Sequence, residues 1–247
     1  MNHVGALALV GSGEYLPEMA PLEGKLLHAA IKRGKLNRYV QIPLAAGIES
    51  ESRLQYWKEL GLKAADRLES AGVFLPIFNR EDAMREELAA EISEAGLIYL
   101  SGGDPTYLAQ ALIDTPVWTA IDSAWKSGSS LAGCSAGAMV FGGDVPNFRK
   151  QSAVGTPGLN LFPTLRTIPH YDKFFGVLPD PIAKVFVRAP EGVHVIGVDE
   201  LTAAVCGLDS GTSYEDLKFM VHGKGGVHIL RGAATHTFKH GEIFSLH

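Results

Sequence analysis

Short apolar runs alternate with amphipathic segments through the first half of the chain. The runs are continuous rather than interrupted by polar residues, which is typical of strands buried on both faces. They cover residues 5–10, 38–44, 73–77, 97–100 and 130–132. Helical periodicity lies between them, over residues 22–33, 51–71, 81–94 and 116–126. This order predicts an α/β fold with a mostly parallel sheet, helices on both faces and right-handed crossovers.

The last third of the chain has a different pattern. From residue 185 onward, short apolar runs separated by turns occur at residues 193–200, 203–207, 218–221 and 226–232. Their spacing favours hairpin-linked antiparallel strands that extend the parallel core at its C-terminal end. Residues 142–163 are rich in glycine and proline and poor in regular pattern, which is typical of a functional loop that covers a site.

Composition narrows the classes of function. A length of 247 residues with 46% hydrophobic content predicts one domain over residues 1–247. The net charge of −5 offers no basic surface, which argues against a nucleic-acid partner and favours small solutes. Two cysteines without metal-ligand spacing indicate a reducing cytoplasm and no metal site. No leader pattern and no apolar run near 18 residues is present, so we expect neither export nor membrane anchoring.

The most informative stretch is Gly133-Cys134-Ser135-Ala136-Gly137, which follows an apolar run. The G-x-S-x-G pattern predicts a sharp strand-to-helix turn that presents one serine hydroxyl. Small neighbours relieve the crowding of such a strained turn, and the following helix directs its N-terminal amides towards the same point. Ser135 is therefore a candidate nucleophile.

A second glycine-rich loop supports this interpretation. Ser101-Gly102-Gly103-Asp104 also follows an apolar run, and such a loop beside a nucleophile elbow supplies the other backbone donor of an oxyanion hole. A third loop, Gly11-Ser12-Gly13-Glu14, lacks the spacing of a dinucleotide or P-loop fingerprint. We interpret it as a tight loop that places Glu14 near the ligand-binding crevice of the sheet.

A serine nucleophile needs a base, and His170 has the best context among the nine histidines. It ends the apolar run 165–168, where a side chain reaches the carboxyl edge of a sheet. The others lie within an apparent strand, in the C-terminal segment or in unsuitable contexts: His3, His28, His194, His222, His228, His236, His240 and His247.

Together, these segments resemble the dipeptidase E and cyanophycinase family of serine peptidases. The resemblance is carried in order by residues 101–104, 133–138, 168–171 and 197–203. It implies a flavodoxin-like fold akin to class I glutamine amidotransferases, and hydrolysis without a cofactor of peptide bonds next to an aspartyl residue. It also implies Ser135 as nucleophile, His170 as base and the amides of Gly103 and Ala136 as the oxyanion hole. By the same analogy, a homodimer is one option.

The third member of the triad stays open at this point. The family carries an acidic residue some way after the serine, but residues 147–152 contain no carboxylate. We assign Asp144, which lies a few residues early, with Asp172 and Asp199 as alternatives. A dyad, or a neutral orienting group such as Gln151, would also satisfy the sequence.

Substrate-binding groups are predicted from the charge of an aspartyl substrate. A bidentate arginine is the natural receptor for its carboxylate, and Arg149 and Arg166 are the candidates. The residues after His170 include Lys173-Phe174-Phe175-Gly176, which does not reproduce the basic pattern of cyanophycinases, so we disfavour the polymer as substrate.

The sequence therefore predicts a serine hydrolase that cleaves a small peptide or related amide through an acyl-enzyme on Ser135. One alternative is a noncatalytic binding or sensing protein that keeps the fold but lacks a triad acid. Another is an amidotransferase-like enzyme that uses Cys134. We interpret Cys134 as a packing residue, because alternation along the strand turns its thiol away from the side of the serine hydroxyl.

Overall fold

The computed structural model describes residues 4–146, 155–175, 189–231 and 234–246. A large, mostly parallel sheet lies at its centre, with helices on both faces and antiparallel strands added from the C-terminal part. This confirms the predicted fold class. In the described ranges, no helix combines the length and apolar character that crossing a bilayer requires.

The central sheet has eight strands in the order β14-β11-β10-β1-β5-β4-β2-β3. Its parallel part is formed by β1 (Leu7–Val10), β2 (Arg38–Ile42), β3 (Ala71–Phe74), β4 (Leu97–Leu100) and β5 (Ser130–Cys134). The strands β10 (Thr202–Cys206), β11 (Lys218–Gly223) and β14 (Ile243–Ser245) continue it in antiparallel pairing. Because β1, β4 and β5 are parallel neighbours, the loops that follow them meet at one edge of the sheet.

The helices connect the parallel strands. They are α1 (Ala20–Lys32), α2 (Glu51–Arg67), α3 (Arg80–Ala83), α4 (Glu86–Ala90), α5 (Pro105–Leu112), α6 (Pro116–Lys126), α7 (Ala136–Met139) and α8 (Tyr171–Phe175). The acidic segment 81–94 was predicted as one helix, but it forms the short helices α3 and α4 followed by turns. Asn79 caps α3 by accepting a hydrogen bond from the Asp82 amide, as its position before the helix predicts.

The C-terminal strands are divided between two sheets, so that some extend the central sheet as predicted and others do not. A separate four-stranded sheet has the order β13-β12-β9-β8 and contains β8 (Leu165–Ile168), β9 (His194–Val198), β12 (Gly226–Arg231) and β13 (Ala234–Lys239). Within it, β8 and β9 are parallel, whereas the other pairs are antiparallel. A short antiparallel pair, β6 (Asp144–Val145) and β7 (Thr156–Pro157), lies between β5 and β8 along the chain. The parallel pairing brings the ends of β8 and β9 together, which hairpin spacing alone did not predict.

Alternation along the buried strands divides the core into two layers. On β1, Leu7 and Leu9 belong to one apolar cluster, whereas Ala8 and Val10 belong to the other. Cys134 lies in the same layer as Ala8 and Val10, beneath α1 and α2. A strand buried on both faces therefore separates the side chain of residue 134 from the opposite layer.

The carboxyl group of Glu23 is buried in this second layer. Glu23 of α1 is 1% exposed, and its Oε1 accepts a hydrogen bond from the Tyr15 amide at 3.2 Å. Oε2 has no hydrogen-bond partner among the described residues. Burial raises the pKa of Glu23 to about 7, although the Tyr15 amide and the Arg67 charge act in the opposite direction. The folded protein therefore holds a proton at Glu23 that the unfolded chain releases at lower pH.

The raised pKa of Glu23 predicts that the stability of the fold depends on pH. Between the pKa of an unfolded glutamate, about 4.3, and the folded value near 7, the folded state binds more protons than the unfolded state, so stability falls as pH rises. Glu23→Gln removes this contribution. From pH 5 to pH 8, the free energy of unfolding of the variant, measured in urea, should rise by roughly 3 kcal/mol relative to that of the wild type. An equal pH dependence in both proteins would contradict the prediction.

Candidate active site

Ser135 lies in a strained turn at the carboxyl end of β5. Its φ of 50° and ψ of −109° place it outside the regions that side-chain-bearing residues favour. The turn is held because the Ser135 amide donates to the Val10 carbonyl at 2.9 Å, and the Ser135 carbonyl accepts from Ala138 and Met139. The strand-to-helix elbow predicted from the sequence is present, and it raises the serine side chain above the sheet edge.

The two glycines of the elbow are required by close packing. A Cβ on Gly133 would lie 2.3 Å from the Gly137 carbonyl oxygen, and a Cβ on Gly137 would lie 2.4 Å from the Leu100 carbonyl oxygen. Both contacts involve backbone atoms that cannot move aside independently. The start of α7 therefore packs directly on β5 and on the end of β4.

His170 contacts the serine from the second sheet. It follows β8, has a φ of 50°, and its Nε2 lies 3.1 Å from Ser135 Oγ. Its Nδ1 lies 3.1 Å from Oε1 of Glu200, which follows β9. With the proton on Nδ1, the ring donates a hydrogen bond to Glu200, and Nε2 can accept the serine proton. The serine, histidine and carboxylate thus form a continuous hydrogen-bonded chain.

Asp144, the acid assigned from the sequence, is bonded to Arg166 rather than to the imidazole. Its Oδ1 accepts a hydrogen bond from Arg166 Nε at 3.3 Å, and its Oδ2 accepts one from Arg166 Nη2. Oδ2 also accepts from the Gly155 amide at 2.9 Å. Arg166 lies on β8 and is only 1% exposed. A buried guanidinium bonded to a carboxylate is poorly placed to receive a substrate. The geometry favours a structural role for this pair.

The two alternative aspartates flank the candidate triad without contacting the His170 ring in the way that Glu200 does. Asp172 accepts a hydrogen bond from the Glu200 amide at 2.9 Å and thereby holds the backbone that carries the acid. Asp199 is bonded to His228 Nε2 at 2.8 Å and to the Gly226 amide at 2.7 Å. Burial alone would raise the pKa of Asp199, but these two hydrogen bonds outweigh it and lower the pKa.

The predicted oxyanion donors lie on the two loops that flank Ser135. Gly103 has a φ of 144°, and a Cβ there would lie 2.2 Å from the Ala45 carbonyl oxygen, so this position accepts only glycine. Ala136 is the first residue of α7, where an amide has no partner within the helix. Apart from hydrogen bonds within a helix or strand, neither amide donates to a backbone acceptor in the described ranges.

Cys134 is fully buried and faces away from the serine, as strand alternation predicts. Its Sγ lies 2.8 Å from Glu14 Oε2 in the layer beneath α1. Burial, reinforced by the Glu14 carboxylate, raises the pKa of the thiol well above its usual range. A protonated, inaccessible thiol is a poor nucleophile, which argues against the amidotransferase-like alternative.

Two predicted residues, Arg149 and Gln151, lie outside the described residues. So does part of the glycine- and proline-rich stretch that was predicted to cover the site. In the ranges that are described, no cluster of three histidine, cysteine, aspartate or glutamate side chains is arranged to hold a metal ion.

Comparison with known proteins bears on this arrangement. The model of peptidase family S51 matches residues 7–210. The chain belongs to peptidase family S51. Among curated relatives, the cyanophycinase of Trichormus variabilis is 31% identical over 189 residues, which is 72% of this chain and 56% of that protein. The cyanophycinase of Synechococcus elongatus is 30% identical over 125 residues, 50% of this chain and 34% of that protein. The chain thus spans between a third and a little over half of these relatives.

Solved structures extend the similarity over the whole S51 chain. A crystal structure of a peptidase from an acI-B1 actinobacterium is 46% identical, covers 100% of this chain and 99% of its own, and superposes with a TM-score of 0.91. A putative peptidase E protein from Listeria monocytogenes has a TM-score of 0.57 at 19% identity, covers 95% of this chain and 98% of its own, and indicates the fold alone.

Glu200, which contacts His170 in this S51 chain, was not among the acids predicted from the sequence. Its neighbour Asp199 was one of the alternatives to Asp144. The sequence shows only that Glu200 closes one apolar run as His170 follows another. The structure adds that the two strands, β9 and β8, pair in parallel. Once that pairing is known, both strand ends lie at the same edge.

The packing of the elbow predicts a contrast between two helical glycines. Gly137→Ala should destabilise the protein by several kcal/mol and abolish reaction at Ser135, because its Cβ collides with the Leu100 carbonyl. Gly24→Ala in α1 is the matched control, since its Cβ meets only Leu68 Cδ2 at 3.4 Å. It should stabilise by about 0.5–1 kcal/mol. Thermal unfolding measures both, and similar effects at the two positions would contradict the packing argument.

The buried ion pair predicts the consequence of removing its cation. Arg166→Met leaves the Asp144 carboxylate without its partner and should cost about 3 kcal/mol in urea unfolding. Arg166→Met combined with Asp144→Leu should recover part of that loss. A single variant of wild-type stability whose KM for a peptide is raised would instead restore the predicted substrate-binding role.

Proposed function

We propose that this S51 protein is a serine peptidase that hydrolyses a small peptide or related amide through an acyl-enzyme on Ser135. The observation that carries the proposal is the hydrogen-bonded chain from Ser135 Oγ through His170 to Glu200. A strained elbow and two backbone amides of an oxyanion hole accompany it. Membership of family S51 supports the reaction class.

In the first half of the reaction, His170 Nε2 accepts the Ser135 proton while Oγ attacks the scissile carbonyl carbon. The carbonyl π electrons move to the oxygen, and the amides of Gly103 and Ala136 stabilise the resulting negative charge. Collapse of this intermediate breaks the C–N bond. His170 then gives its proton to the departing amine, leaving an ester on Ser135.

Water completes the cycle. His170 accepts a proton from water as the oxygen attacks the ester, and the proton then returns to Ser135 when the acid product leaves. Throughout, Glu200 holds the imidazole in one tautomer and stabilises its positive charge. Glu200 itself is held by the hydrogen bond from its amide to Asp172 and by Lys173, whose Nζ lies 3.8 Å from Oε2.

The finer proposal is a preference for aspartyl peptides, by analogy with dipeptidase E. The names of the curated relatives suggest cyanophycin as a competing substrate. The assay therefore compares dipeptides with N-terminal aspartyl, β-aspartyl and neutral residues with the cyanophycin polymer. Release of amino acid from aspartyl dipeptides by wild type, and not by Ser135→Ala or His170→Ala, is the expected result. Turnover of the polymer alone would overturn the small-peptide preference.

The identity of the triad acid is tested separately. Glu200→Gln keeps the size of the side chain but removes the charge that stabilises the imidazolium, so labelling of Ser135 by a fluorophosphonate should slow by roughly a hundredfold to ten-thousandfold. Asp144→Asn is the comparison, since Asp144 contacts Arg166 and not the imidazole. A larger loss for Asp144→Asn, at equal folded fraction, would reverse the assignment.

A noncatalytic binding protein is the alternative that the sequence left open. Its main support was the lack of a triad acid, and Glu200 removes that support. Stoichiometric labelling of wild type, abolished in Ser135→Ala, would exclude an inert elbow. A folded wild type that neither reacts with the probe nor turns over any substrate would favour the binding function.

A further inference from the structure

Glu14 is a buried carboxylate directly beneath the candidate active site, and the reaction described above does not use it. It follows β1 in the loop that starts at Gly11, and only 7% of its surface is exposed. Burying a carboxylate is costly unless hydrogen bonds replace its hydration. The groups that bond to Glu14 therefore indicate what it holds in place.

Both of its oxygens accept hydrogen bonds from loops of the active site. Oε1 accepts from the Gly102 amide at 2.9 Å, and Oε2 accepts from the Cys134 thiol at 2.8 Å. Gly102 directly precedes the oxyanion donor Gly103, and Cys134 directly precedes Ser135. One carboxylate thus joins the oxyanion loop to the nucleophile elbow.

The space around Gly102 shows how closely these loops approach. A Cβ at Gly102 would lie 2.9 Å from Glu14 Oε1 and 3.4 Å from Ser135 Cβ. The chain at Gly102 therefore lies close to both the carboxylate and the nucleophile. A small displacement of Glu14 would change the distance between the Gly103 amide and the carbonyl that Ser135 attacks.

Glu14 is itself held rigidly by its own loop. Gly13 and Tyr15 on either side have φ values of 89° and 65°. A Cβ at Gly13 would lie 2.4 Å from Leu201 Cδ2, and a Cβ at Gly11 would lie 2.1 Å from the Asp199 carbonyl oxygen. The loop thus also packs against the residues on both sides of the candidate acid Glu200.

We infer that Glu14 is a positioning residue for acyl transfer, which sets the Gly103 amide against the elbow through its two hydrogen bonds. The inference rests on the proposed function of Ser135. It differs from a general packing role because both bonds end one residue before a reacting or stabilising group. Removing them should act on transition-state stabilisation more than on substrate binding.

Substitutions at Glu14 test this inference. Glu14→Met keeps the volume but accepts no hydrogen bond, and should slow fluorophosphonate labelling of Ser135 by about a hundredfold, the effect of losing one oxyanion donor. On any dipeptide that wild type cleaves, kcat should fall while KM stays within about twofold. Glu14→Gln should restore labelling to within about tenfold of wild type, because its carbonyl accepts from Gly102 and its amide faces the sulfur.

The matched control is Gln41→Met. Gln41 is fully buried and donates to the Gly61 carbonyl at 2.6 Å, so this variant also exchanges a buried polar side chain for methionine. It should label at the wild-type rate. If Glu14→Met does not fold, Cys134→Ala removes one of the two donors and should slow labelling several-fold, whereas Cys134→Ser, which keeps a donor, should not.

The outcomes separate this inference from the proposed function. Wild type that labels, together with folded Glu14→Met that labels equally fast, would overturn the role of Glu14 alone. Equal slowing in Glu14→Met and Glu14→Gln would also overturn it, because hydrogen bonding would then not be the cause. A wild type whose Ser135 never reacts would overturn the proposed function, and the role of Glu14 with it.

Discussion

The lack of space at the end of β5 is the constraint on which the site depends. The chain turns from strand to helix so tightly that Gly133 and Gly137 pack against backbone carbonyls with no room for a side chain. This contact forces Ser135 into a left-handed φ and directs its hydroxyl above the sheet edge. Strain of this kind costs about 1–3 kcal/mol and persists only where surrounding packing fixes it.

Parallel strand pairing collects the other groups around that serine. In the central sheet, β1, β4 and β5 bring the Glu14 loop, the oxyanion loop and the elbow to one edge. In the second sheet, β8 and β9 bring His170 and Glu200 to a common edge. The candidate site lies where these two edges meet. Residues far apart in sequence therefore reach hydrogen-bonding distance where the two edges meet.

Buried charges stabilise this meeting of loops at a cost. Glu14 joins the oxyanion loop to the elbow of the central sheet, and Asp144 neutralises the buried Arg166 of β8. Glu23 has fewer hydrogen-bond partners, and its raised pKa reflects the cost of burying its charged form. Ionic groups below a site restrict its geometry, whereas an apolar core of equal volume would pack with less directional control.

Two of the sequence predictions rested on local pattern and hold in the structure. Continuous apolar runs identified the buried strands, and the glycine spacing identified the elbow, because close packing at Gly133 and Gly137 excludes other residues. His170 was recognisable for a similar reason, since it directly follows an apolar strand. The resemblance to dipeptidase E and cyanophycinases is likewise confirmed at the level of the family.

The sequence by itself determined the α/β class and the elbow, and it pointed to Ser135 and His170 as candidates, because each of these rests on a local pattern of residues. Only the tertiary structure decided which carboxylate completes the chain of hydrogen bonds. Asp144, Asp172, Asp199 and Glu200 all follow Ser135 in the chain, and distance in sequence does not rank them. The parallel register of β8 with β9 brings Glu200 to His170, whereas Asp144 forms an ion pair with Arg166. That choice depends on pairing between distant segments, which no local pattern encodes.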